Sequence, residues 1–131
     1  ATTYRALLKA FSARGHDVLF LEREQPWYAE HRDLGEPAYA RLAFYRDIDD
    51  LDRFAAALAA ADAVLVGSFV PEGAAVLDWL RQRRPGVIAF YDIDTPVTLA
   101  RLARGETVYL RPDQIAGYDV YFSFTGGPVL Q

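Results

Sequence analysis

Val87-Ile88-Ala89-Phe90-Tyr91-Asp92-Ile93-Asp94-Thr95-Pro96 decides the architecture of this chain. A short run that is apolar throughout and closed by polar residues predicts a strand covered on both faces, as in a parallel sheet. Thr95-Pro96 then predicts a helix start, because proline costs no hydrogen bond in a first helical turn. The reading is strand over Val87 to Tyr91, exit through Asp92-Ile93-Asp94, and helix from Thr95 to about Ala103, stopped by Arg104-Gly105.

The same unit repeats outward. Toward the amino end, Ala63 to Val66 predicts a strand ending at Gly67-Ser68, and Pro71 predicts the start of a helix that buries Ala74, Ala75, Leu77, Trp79 and Leu80. Arg81, Arg83 and Arg84 suit its last turn, where cations meet the helix dipole favourably. Arg41 to Tyr45 predicts another strand, followed by a helix capped by Asp49 or Asp50 and running through Leu51, Phe54, Ala55 and Leu58. Earlier still, Thr2 or Thr3 caps a helix with Ala6, Leu7, Ala10 and Phe11 on one face, Gly15 forms its left-handed cap, and Val18 to Leu21 is a strand. Glu22 to Tyr39 is irregular, with a short helix expected near Trp27. Toward the carboxyl end, a loop from Glu106 to Asp119 leads to a strand over Val120 to Phe124, and Pro128 is expected to open a further helix. Strands alternate with helices and no hairpin signal intervenes. The predicted fold is therefore α/β, a Rossmann-like parallel sheet with right-handed crossovers and helices on both faces.

At 131 residues the chain is expected to be a single Rossmann-like domain, 1–131. A net charge of -4 excludes a long-range pull toward nucleic acid or anionic membrane. With no cysteine there is no disulfide and no thiolate metal site, which suits a cytoplasmic setting. No apolar run reaches the length of a bilayer span, and no signal peptide opens the chain. The chain lacks methionine and begins inside a helical pattern, so it is expected to be a fragment of a longer protein; that this parent has two domains is what the family resemblance given below implies.

Ligands of open parallel sheets bind at the carboxyl ends of the strands. Three exits are therefore of interest: Gly67-Ser68, Asp92-Ile93-Asp94-Thr95-Pro96 and Ser123-Phe124-Thr125-Gly126-Gly127. If the strand persists, Asp92 and Asp94 lie on one face. Such a pair can hold a divalent metal, share a proton or accept hydrogen bonds from sugar hydroxyls; equally, it can do no more than cap a helix. Thr125-Gly126-Gly127-Pro128 offers backbone N–H groups to a phosphate or substrate oxygen, or is a tight turn. Ser68 is a rim or turn residue. His16, between a cap and a strand, reads as structural. His31 with Trp27, Tyr28 and Arg32 reads as an acceptor-lining cluster or as an apolar cluster under a long loop. Neither the dinucleotide glycine pattern nor a P-loop is present.

Several of these segments resemble a known family. Ala1-Thr2-Thr3-Tyr4-Arg5-Ala6-Leu7-Leu8 and Ala13-Arg14-Gly15-His16-Asp17-Val18 resemble the first helix and second strand of GT-B glycosyltransferases. Phe90 to Pro96, Arg104-Gly105-Glu106-Thr107, and Tyr121 to Pro128 resemble, more narrowly, the bacterial CgeB-like glycosyltransferases. The resemblance implies the N-terminal, acceptor-side half of a GT-B fold, with a first strand and glycine-rich loop preceding Ala1. A nucleotide-sugar donor would be held mainly by a C-terminal domain, and its sugar passed to an acceptor hydroxyl without bound metal or cofactor. Asp92 and Asp94 would carry the catalytic or acceptor-contacting role, and Ser68, Thr95, Thr125, Gly126 and Gly127 would shape the acceptor cleft. The fragment alone would be inactive.

Three rivals compete. A haloacid-dehalogenase-like phosphatase has an aspartate pair after an apolar strand, but Pro96 stands where its threonine belongs and no lysine follows. A receiver-type signalling domain needs a lysine after its last strand, whereas Lys9 is the one lysine here. A non-catalytic α/β binding domain needs none of these residues.

Overall fold

The computed structural model describes residues 2–25 and 37–128. The architecture is Rossmann-like α/β: strands alternate with helices and every strand pairing is parallel. The chain divides into two compact units, Ala1–Asp50 and Leu51–Gln131. Among the described residues the strands form a two-stranded sheet in the first unit and a three-stranded sheet in the second.

In the first unit, α1 (Thr2–Ala13) ends where Gly15 turns to φ 86°. That left-handed angle is the one its missing side chain permits. His16 meets the Phe11 ring edge-on at 6.0 Å. The strand β1 (Leu19–Arg23) starts one residue later than the sequence suggests and pairs with β2 (Arg41–Tyr45), Leu19 opposite Arg41 and Arg23 opposite Tyr45. The expected helix near Trp27 and the cluster of Trp27, Tyr28, His31 and Arg32 lie outside the described residues, as does a helix after Pro128.

The Asp49/Asp50 helix cap is not formed. Asp47 Oδ1 takes the Asp50 N–H at 2.8 Å, while the Asp50 carboxyl turns back onto the Arg46 N–H, also at 2.8 Å. With its acids engaged in this way, the segment Asp49–Phe54 winds as a 3₁₀ helix, and α2 (Ala55–Ala60) follows without a side-chain cap.

The second unit holds β3 (Ala63–Gly67), β4 (Val87–Asp92) and β5 (Val120–Ser123) in the order β3-β4-β5. Gly67 lies opposite Tyr91, and Asp92 lies opposite Ser123. Only the central strand matches the expectation of burial on both faces: Ile88, Ala89, Phe90 and Asp92 are buried, whereas all of β5 is exposed. A central strand has a neighbour on each side, but among the described residues β5 pairs with β4 alone. Phe90, at 0% exposure, is the hub of the core. Its ring lies 5.2 Å from Tyr118, 4.9 Å from Tyr121 and 6.4 Å from Tyr109, the last stacked with its plane nearly parallel.

Pro71 does not start α3 (Gly73–Arg83). It sits inside a turn closed by Gly73 N–H on Val70 O at 3.0 Å, with Glu72 at φ 57°. Proline is favoured at that second turn position as well as at a helix start, so the residue alone does not separate the two. The buried face of α3 carries Gly73, Ala74, Leu77, Trp79 and Leu80, with Ala75 half-buried. Arg83 has a more specific task than the dipole: its guanidinium lies 4.1 Å from the Trp79 ring centroid and pairs with Asp52 at 2.8 Å. The helix after β4 is α4, Thr95–Ala103.

The expected loop from Glu106 to Asp119 contains a 3₁₀ turn, Pro112–Gly117, anchored by the buried Gln114. Its amide donates to Ala74 O at 2.7 Å and to Asp78 Oδ1 at 3.0 Å.

Truncating the hub should cost far more than truncating the edge. Phe90→Ala is expected to lose about 3–5 kcal/mol of stability, and Phe122→Ala, on exposed β5, under about 1 kcal/mol, in urea titrations followed by circular dichroism.

Candidate functional site

Parallel β3, β4 and β5 bring their carboxyl ends to one edge of the second unit, so Ser68, Asp92, Asp94, Thr95, Thr125, Gly126 and Gly127 gather along one rim. Short bonds tie the three exits together. Ser68 N–H donates to Tyr91 O at 2.9 Å, and Ser68 Oγ accepts the Ile93 N–H at 3.1 Å. Phe124 N–H donates to Asp92 O at 2.8 Å.

The two acids do not share a face. The strand ends at Asp92, and the backbone turns away before Asp94. Asp92 is fully buried and accepts three hydrogen bonds: Thr98 Oγ1–H on Oδ1 at 3.0 Å, Asp94 N–H on Oδ1 at 3.2 Å and Tyr121 O–H on Oδ2 at 3.0 Å. Thr98 spends its one proton on Asp92, so in its 2.9 Å contact with Tyr109 the phenol is the donor. A relay therefore runs from Tyr109 through Thr98 to Asp92. In this arrangement Asp92 has no open face toward a solute.

Asp94 is half-buried at the rim and caps α4, the structural role the sequence allows the acid pair. Its Oδ1 accepts the Val97 N–H at 3.4 Å, and among the described residues its Oδ2 has no partner. Thr95 is buried instead. Ser123 Oγ–H donates to Thr125 O at 2.7 Å, so Thr95 must donate in the 2.6 Å contact with Ser123 Oγ. Thr125 is half-buried, with no partner for its own hydroxyl among the described residues, and Gly126 and Gly127 are exposed. Gly127 holds φ 112°, whereas a Cβ on Gly126 would meet nothing within 4 Å.

Two features of this rim are not legible in the sequence. Phe69 leaves β3 at φ 63°, an uncommon angle for a bulky side chain, and Glu72 follows at φ 57°. Left-handed non-glycine residues concentrate at functional sites, and two lie within four positions here. The only signal available was a Ser-Phe-Val-Pro turn composition. The second feature is the covering of the α3 start: Val108 O accepts the Ala74 N–H at 3.3 Å, and a Cβ on Gly73 would stand 2.8 Å from Tyr109 Cβ.

Two phenols are perturbed. Burial pushes the Tyr118 hydroxyl well above the usual tyrosine range. Burial first, then the Asp92 charge and the hydrogen bond to it, does the same for Tyr121. Among the described residues no group of three or more His, Cys, Asp or Glu could hold a metal ion, and no helix is long and apolar enough to cross a membrane. An open depression of about 450 Å³ lies in the first unit, lined by Ser12, His16, Asp17 and Pro37 to Arg41. It sits at the amino ends of β1 and β2, the end where parallel sheets seldom bind ligands. No family model, curated protein or solved structure matches the chain.

The two acids should separate on substitution. Asp92→Ala strands three donors and is expected to cost on the order of 3 kcal/mol or more, while Asp94→Ala removes one cap and should cost about 1 kcal/mol, both read from chemical denaturation.

The raised phenols set a second test. Their contribution to stability is complete below the unfolded tyrosine pKa of about 10 and is lost as pH rises above it. Urea midpoints should fall between about pH 9 and about pH 11.5, and fall less steeply in a Tyr118→Phe, Tyr121→Phe double variant.

Proposed function

We propose that this chain is the acceptor-side domain of a glycosyltransferase that moves a sugar from a nucleotide-sugar to an acceptor hydroxyl. The resemblance of Phe90 to Pro96 and of Tyr121 to Pro128 to CgeB-like enzymes supports the chemistry. One observation carries the site: a carboxylate oxygen on Asp94 with no protein partner among the described residues, held at the exit of the central strand beside the Thr125-Gly126-Gly127 turn.

In the proposed reaction the acceptor oxygen forms a bond to the anomeric carbon. The bond from that carbon to the donor phosphate oxygen breaks, and the nucleotide leaves with the electron pair. The acceptor proton passes to Asp94. Asp92 acts one layer below: it receives the Asp94 N–H and so fixes where the Asp94 side chain starts. Thr125 and the exposed glycine N–H groups lie along the same rim and can accept and donate hydrogen bonds to the remaining hydroxyls.

The phosphatase alternative asks Asp92 to attack phosphorus, and an enclosed carboxyl carrying three hydrogen bonds is poorly suited to that role. The donor half and the donor itself belong to the proposed parent protein, expected to act in the cytoplasm.

Full-length protein incubated with a panel of nucleotide-sugars and acceptors should release nucleotide and form a glycoside. Asp94→Asn should lower kcat by about 10²-fold or more while melting close to wild type. Full activity in Asp94→Asn, or no transfer and no binding with any nucleotide-sugar, would sink the proposal.

A further inference from the structure

The three-stranded sheet of the second unit has two faces, and its registers sort the side chains between them. Residues opposite one another on neighbouring parallel strands point the same way, and successive residues alternate. One face carries Val66, Ile88, Phe90, Asp92 and Tyr121. The other carries Leu65, Ala89 and Val120 in one row and Gly67, Tyr91 and Phe122 in the next, with Val87 opposite Ala63. Phe124 belongs to this second face, because its N–H still bonds Asp92 O at 2.8 Å and extends the pairing by one step.

Helices cover the first face. Thr98 of α4 bonds Asp92 at 3.0 Å, and Tyr109, stacked on Phe90, packs against Gly73 at the start of α3. Right-handed crossovers put α3 and α4 on that one side. On the second face Leu65, Val87, Val120, Phe122 and Phe124 are 37–66% exposed. Yet no residue that β3, β4 or β5 presents there is charged. A sheet face that meets water carries polar residues, and a parallel sheet is normally covered on both sides.

Size selects the cover. The face is three strands wide, about 10 Å, and about 13 Å long from Ala63 to Gly67. One helix, about 10 Å across, fills that area with roughly nine residues. Two phenylalanines and three aliphatic side chains at these exposures leave on the order of 400–500 Å² of open apolar surface. A second copy or a separate protein needs about 800 Å² per partner for a stable contact. A helix on the same polypeptide needs less, because tethering supplies a millimolar effective concentration. A crossover running outward past β5 would join α3 and α4 on the Phe90 side, so the covering helix returns to the sheet from elsewhere in the protein.

We infer that the face of Leu65, Val120 and Phe122 is the seat of one amphipathic helix of the parent protein, from outside residues 1–131, with its apolar stripe on the sheet and its polar side outward. The inference needs the longer parent but not the transfer reaction, and a protein that transfers no sugar can still satisfy it. The mild cost expected of Phe122→Ala belongs to the sheet with this face open.

Thiol labelling of the full-length protein tests it. Residues 1–131 contain no cysteine, so introduced thiols report cleanly once any elsewhere are replaced by serine. Leu65→Cys and Val120→Cys lie on the face. Leu99→Cys, on α4, and Ile115→Cys, in the 3₁₀ turn, are controls off the face at positions 43% and 46% exposed. With circular dichroism unchanged, the face thiols should react with a disulfide reagent about tenfold or more slowly than the controls, and at the same rate in urea. Either face variant suffices where the other misfolds. Protection should persist through about hundredfold dilution, because a tethered helix, unlike a second copy, is not lost by mass action. Photocrosslinks from p-benzoylphenylalanine in place of Phe122 should fall three or four residues apart on one segment outside residues 1–131. Face thiols as reactive as the controls would overturn the inference. So would protection that fades on dilution or needs added lipid vesicles, and crosslinks confined to residues 1–131 or alternating along a strand.

Discussion

Asp92 is the knot at the carboxyl edge of the three-stranded sheet. It closes the central strand, and its carboxyl gathers a hydroxyl from α4, a phenol from β5 and the amide that begins the turn into α4. Its carbonyl also holds the first residue beyond β5. Two donors come from the start of α4 and the third from β5, so one side chain at the end of β4 ties these three elements together. Water is excluded there, and every donor left without its acceptor would carry an uncompensated desolvation cost. The rim thus depends on a polar group that is itself shut away from solvent.

That arrangement divides the labour between two acids that look alike on paper. Had the strand run two residues further, both carboxyls would face the same way. The backbone turns after Asp92, so one acid becomes an internal fastener and the other a helix cap with an oxygen to spare. Capping engages only Oδ1, which keeps Asp94 oriented without consuming its ability to accept from a ligand. A structural role and a chemical role are compatible at this position because a carboxylate has two oxygens.

The legible parts of the fold were those governed by local pattern. The runs Arg41–Tyr45, Ala63–Gly67 and Val87–Asp92 and the helix Thr95–Ala103 lie within a residue of where apolar periodicity and breakers place them. What depended on partners was not legible. Composition could not separate Pro71 in a turn from Pro71 opening a helix, because the same fixed φ suits both. The exposure of Val120, Tyr121 and Phe122 reflects their place at the edge of the described sheet, which their apolar character conceals. Gln114 looked like a loop residue, and only the distant Ala74 carbonyl makes it an anchor. At the rim, the gathering of residues was readable from parallel topology, but the separate fates of Asp92 and Asp94 were not. The exposure of Phe69 and Phe124 is likewise concealed by their apolar character.

Gly126 and Gly127 stand side by side yet differ in what evolution can do with them. Gly127 is tied to a backbone angle that other residues resist, so that position is closed to drift. Gly126 has neither that angle nor a neighbour within reach of a new side chain. A substitution there can place serine, aspartate or arginine at the mouth of the rim without rebuilding any backbone. The turn thus contains a site where selectivity can diversify at almost no structural cost, and the same position would accept a reporter group for watching ligands arrive.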